Sequence, residues 1–137
     1  MNIRKTIEKT FESKKIKYFK GNGENDNVFN LPYRGIIVES NHINIYMEVI
    51  EELGIIKFTL IEKANMKIDI NELKARLLDI NSKLNFGTLS MRNESDTIEY
   101  KVDYQLCDSE FSYEQYNKFV ARCITMYEEL KKLELIV

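Results

Sequence analysis

The stretch INSKLNFGTLSMR, Ile80 to Arg92, decides how this chain is built. Ile80 and Leu84 close an apolar series that begins with Ile70, Leu73 and Leu77. Steps of three and four alternate along it, which puts all five on one stripe of a helix of about four turns. Asp69 and Glu72 ahead of the series have capping-box spacing. Beyond Gly87 the pattern changes to strict alternation, with Leu89 and Met91 on one side and Ser90 and Arg92 on the other, as in a half-buried strand. Asn85 and Gly87 tolerate the left-handed or open backbone needed to leave a helix. A ligand-cradling loop would place Gly-rich backbone before a helix, whereas this one follows it. The stretch therefore reads as a helix-to-strand junction.

Working outward, DTIEYKVDYQL follows the turn RNES and sets Ile98, Tyr100, Val102, Tyr104 and Leu106 against Thr97, Glu99, Lys101, Asp103 and Gln105. Upstream, HINIYMEVI turns Ile43, Ile45, Met47 and Val49 one way and His42, Asn44, Tyr46 and Glu48 the other. The turn EELG leads into IIKFTLI, which points Ile56, Phe58 and Leu60 to one face. VFNLPYRGIIV is also extended, and Pro32 suggests an edge or a bend. These are antiparallel strands, apolar inward and polar outward. A first helix, from Asn2 to about Tyr18, carries Ile3, Ile7 and Phe11. A last helix opens at Ser112 and Gln115, another capping-box pair. Tyr116, Phe119, Val120, Cys123, Ile124, Tyr127, Leu130 and Leu133 form its apolar side, and the pattern predicts that it runs to the end of the chain. The order α-β-β-β-α-β-β-α means α+β: a single domain over 1–137, with helices packed on an antiparallel sheet of about five strands.

The chain has 137 residues, 44% of them apolar and 31% charged, the balance of one soluble globular domain. A net charge of −2 argues against a nucleic-acid binder. No apolar run approaches the roughly 20 residues that span a bilayer, and the N-terminus lacks a signal-peptide core, so the expected location is cytoplasmic. Residues 1–20 hold seven Lys or Arg against two Glu, which fits a core-docked helix with a basic, solvated face. Cys107 and Cys123 are too few and too far apart for a zinc site and read as reduced core thiols.

Catalytic chemistry finds little purchase. The one histidine, His42, shares its strand face with Asn44, Tyr46 and Glu48, and a base or metal site needs more ligands than that. Ser90, Ser95 and Ser112 are explained by strand, turn and cap positions. Neither cysteine has a histidine beside it. The loop KGNGENDN contains a GxG with no strand feeding it, and it lacks calcium-loop spacing. No catalytic residue, cofactor or metal is expected. Among the eight Tyr and seven Phe, those at Phe29, Tyr33, Tyr46 and Tyr113 are the least clearly inward. Aromatic rings of that kind suit a binding surface.

The element order over nearly the whole chain, with Leu84-Asn85 closing the middle helix and Phe86-Gly87 entering the next strand, resembles the YbjN-domain family. That family shares the fold of type III secretion chaperones. The resemblance implies a helix-flanked antiparallel sheet, frequent dimers, a regulatory or chaperone-like role and no established catalytic residues. Chaperones of this fold hold extended partner segments through apolar patches and sheet edges. The Asn-rich loop at 22–27 departs from the pattern. The leading expectation is a non-enzymatic, homodimeric protein-binding module that captures a partner segment, with Phe29, Tyr33, Ile37 and Tyr46 as the contact residues. The alternatives are a small-ligand enzyme or sensor at His42, Tyr46 and Glu48, and an immunity or antitoxin-type protein.

Overall fold

A computed structural model describes residues 3–20, 28–34, 42–92, 94–106 and 111–137. The loop at 22–27, Ile37 and Cys107 lie outside them, as do the side chains of Tyr33 and His42. The chain runs α1 (Ile3–Lys14), β1 (Phe19–Lys20), β2 (Val28–Arg34), β3 (His42–Ile50), a single 3₁₀ turn (Glu51–Leu53), β4 (Ile55–Lys63), α2 (Ile70–Lys83), β5 (Thr88–Arg92), β6 (Thr97–Gln105) and α3 (Tyr113–Lys132). It is α+β, as the patterning predicts. Among the described residues the sheet holds six antiparallel strands in the order β1-β2-β3-β4-β6-β5. The sixth is the two-residue β1, which pairs Phe19 with Asn30 and Lys20 with Phe29. Two residues are too few to show alternation, so no sequence pattern marks it.

Register turns the alternating residues into one apolar layer. Phe29, Met47, Phe58 and Val102 lie side by side across β2, β3, β4 and β6, and all four are buried. Three helices cover this layer. Phe11 of α1 meets Phe29 edge-on at 6.0 Å between ring centroids, and Phe119 of α3 stacks on Phe58 at 5.4 Å. Tyr116 bridges the two helices, with its ring 5.2 Å from Phe11. α2 buries Leu73 and Leu77, and Ile80 and Leu84 are half-buried against the same core.

Caps explain where the helices begin. Asp69 accepts from the backbone N–H groups of Asn71 and Glu72 at the start of α2, and Ser112 Oγ accepts from Gln115 at the start of α3. The cap of α1 comes from far along the chain. The Glu51 carboxylate accepts from the N–H groups of Ile3 and Arg4 at 3.1 and 3.0 Å, where a negative charge also meets the positive end of the helix dipole.

Two helix expectations are corrected. α1 stops at Lys14, short of Tyr18. α3 ends at Lys132 instead of reaching the chain's end: Glu134 takes a left-handed φ of 59°, and Ile136 bridges to Ala64 beside the end of β4. A continued helix would carry Ile136 to the side opposite the buried stripe. The reversal buries both Leu135 and Ile136.

Candidate functional site

The junction that decides the fold also shapes the surface. Asn81, on the last turn of α2, uses its side chain as a strand would use its backbone. Its Oδ1 accepts from Leu89 N at 2.7 Å and its Nδ2 donates to Leu89 O at 2.8 Å. Between these anchors the chain passes over Tyr100, whose hydroxyl donates to Phe86 O at 2.7 Å. Gly87 has φ of 81°, and a Cβ there would lie 2.6 Å from the Tyr100 ring. Only glycine fits both the space and the backbone angle.

The turn leaves the Phe86 side chain more than half exposed, at 55%. Arg122 of α3 lays its guanidinium over that ring at 3.8 Å and over Phe119 at 4.7 Å, so two aromatic faces hold the cation. The Phe86–Arg122 pair lines a groove of about 820 Å³ between α2 and α3. Ile80, Leu84, Tyr100, Met126 and Leu133 supply apolar lining. Lys118 lies one turn before Arg122, and Glu129 lies towards the far end. Asp79 pairs with Lys83 at 3.3 Å. No carboxylate is within ion-pair distance of Arg122 among the described residues. A smaller hollow of about 300 Å³ lies beside β5, lined by Leu77, Leu78, Asn81, Leu89 and Met91. Leu78 is 69% exposed there.

Of the residues expected to bind a partner, Phe29 and Tyr46 lie on opposite faces of the sheet. Phe29 is fully buried among Phe11, Tyr18 and Met47. The sequence reads Phe29 as less clearly inward; the register sets it beside Met47 in the layer under the helices, with the outer sheet face as the other side. Tyr46 is half-buried on that other face, opposite Asn30 and Thr59. Tyr33 stands in β2 opposite Ile43. Tyr113 is half-buried on the helical side, with its ring 6.1 Å from Tyr116.

Tyr46 and Glu48 share the outer face of β3, where Glu48 stands opposite Lys57, and Lys57 in turn opposite Asp103. The groove between α2 and α3 lies on the helical side, away from this face. Glu99 faces outward as expected, yet it is buried. Arg92 Nε meets its carboxylate at 2.9 Å and Lys101 Nζ at 3.5 Å. Among the described residues no group of three His, Cys, Asp or Glu could hold a metal ion, and no helix is long and apolar enough to cross a membrane. Burial pushes the Cys123 thiol up to about 12, which makes it a poor nucleophile near neutral pH.

The sequence does not mark Phe86, Arg122 or Asn81 as contact or positioning residues. Phe86 carried one signal, a large apolar residue just outside both the helical stripe and the strand alternation. Arg122 carried none, since its importance comes from a ring contributed by another element.

No protein-family model matches the sequence, and no curated protein matches it. Solved structures do match. YbjN from E. coli, described as a proposed transcription regulator, superposes with a TM-score of 0.70 at 16% identity, covering 97% of this chain and 94% of that one. A chain of the ExsC–ExsE complex superposes with a TM-score of 0.71 at 8% identity, covering 98% of this chain and 96% of the other. The chain has the YbjN-like fold. The likeness extends over nearly the whole length of both partners, so the YbjN-like fold accounts for all three helices and the sheet together. At these identities it speaks for the fold, and the groove stands on its own geometry.

Proposed function

We propose that the protein is a non-enzymatic, chaperone-like binding module that holds a segment of a partner protein in the groove between α2 and α3. The observation that carries this reading is Phe86, a large ring left more than half exposed at the mouth of an apolar groove by a turn whose backbone is fixed at Asn81, Gly87 and Tyr100. Exposed aromatic anchors beside a preformed groove are typical of protein-contact surfaces. The solved complex of ExsC with ExsE supports the reading, because a chain of this fold occurs there with a partner.

The sheet edges are less open than the sequence suggests. Asn81 occupies the Leu89 backbone groups of β5, and β1 covers β2 at Phe29 and Asn30. A second contact surface at Tyr33, Ile37 and Tyr46 is proposed from the sequence, and partner recovery unchanged by Tyr46→Ala would remove it. We further propose a cytoplasmic homodimer, with the exposed Leu78 beside the hollow at β5 as its contact. Light scattering then gives twice the 16.2 kDa of one chain, and Leu78→Glu returns it to a monomer. A monomeric wild type would remove that part of the reading.

The test of the main proposal is affinity purification from the native cell extract with wild type and Phe86→Glu as parallel baits, read by mass spectrometry. A protein retained by wild type, depleted on Phe86→Glu and absent from a charge-matched control is the expected outcome. Identical recoveries on both baits would overturn the assignment to the groove.

A further inference from the structure

We propose that the partner segment is an amphipathic helix whose acidic residue pairs with Arg122. This rests on the protein-binding reading above and names the chemistry of the segment. Three observations carry it.

The first is the state of Arg122. Two rings hold its guanidinium in place, and no carboxylate pairs with it among the described residues. A planar cation so fixed loses little freedom when it binds a carboxylate through two parallel hydrogen bonds. The second is the distribution of charge along the groove. Lys118 and Arg122 make the Phe86 end positive, Lys83 there is paired with Asp79, and Glu129 lies towards the other end. A helical segment has a negative C-terminal end and a positive N-terminal end. It therefore lies with its acidic, C-terminal turn against Lys118 and Arg122, and its N-terminal turn towards Glu129.

The third is what the walls lack. They are largely helical, and helix backbone groups are already bonded within α2 and α3, so the walls offer side chains. An extended segment would find few backbone partners there, whereas a helix satisfies its own. From Lys118 to Leu133 the groove follows α3 for roughly 22 Å, the length of about four helical turns. Ile80, Leu84, Phe86 and Met126 then meet apolar residues repeated at helical spacing on the segment.

The experiment pans a phage-displayed library of random 15-residue peptides on the full-length protein and measures the enriched peptides by fluorescence anisotropy. Selected peptides are expected to carry apolar residues at helical spacing and a Glu or Asp near the C-terminal end. Replacing that acid by Gln, or Arg122 by Gln, weakens binding roughly tenfold. Combining Arg122→Glu with a peptide whose acid is changed to Lys restores much of the loss, which a merely misfolded variant could not do. Peptides that bind and are lost on Phe86→Glu, yet respond to neither change, would overturn this inference and leave the groove as the binding site. Peptides indifferent to Phe86→Glu as well, or a library that yields no binder, would overturn both.

Discussion

At position 87 a single missing methyl group decides how a helix becomes a strand. Gly87→Ala forces a side chain into a left-handed backbone and against the Tyr100 ring. The expected loss is about 2–4 kcal/mol of unfolding free energy by urea denaturation, from backbone strain plus overpacking. An unchanged midpoint would mean that the ring is not where the hydroxyl bond to Phe86 places it. Cys123 makes a second prediction. Burial raises its thiol from 9.0 to about 12, so the native state keeps a proton that the unfolded chain gives up. The associated stability is complete below about 9 and is lost as pH rises towards 12, by up to roughly 1.4 kcal/mol per pH unit. In Cys123→Ala that part of the alkaline slope disappears from urea titrations between these limits. The buried tyrosines, Tyr100 among them, are also raised by burial and steepen the slope higher up. Gly87 was legible in the sequence as a residue that leaves a helix. Its partner Tyr100, thirteen positions away, was legible only as an inward strand residue.

Among the elements, the edge strand β5 shows how pairing is limited. Its inner neighbour is β6, and at Leu89 the side chain of Asn81 takes the place of a further strand. Asn81→Ala removes both bonds, with an expected cost of about 1–2 kcal/mol for the polar groups left unmatched. It also opens a longer strand edge, so concentration-dependent light scattering should rise relative to wild type. A variant as stable and as monodisperse as wild type would contradict the capping role. Periodicity made all three helices and five of the six described strands legible, because their apolar faces all turn to one layer. The exceptions depend on distant contacts. Glu51 caps α1 across nearly fifty residues, β1 forms on β2, and the reversal after α3 is secured where Asn65 N donates to Leu135 O at 2.8 Å.

For the whole molecule, the three helices among the described residues lie on one face of the sheet, and the YbjN-like order was readable except for β1. The site was not. The sequence pointed to Phe29, which the core absorbs, while the exposed anchor is Phe86, and its cation comes from α3. A groove between two helices depends on the distance and angle between them, and neither is written in the period of either helix. The central claim is that a partner segment occupies this groove. It is tested most directly by placing the photo-crosslinking amino acid p-benzoylphenylalanine at position 86, and in a parallel variant at position 57 on the outer sheet face, and irradiating cells. The prediction is a discrete protein adduct from position 86 and none from position 57. An adduct from position 57 alone, or the same adducts from both, would contradict it.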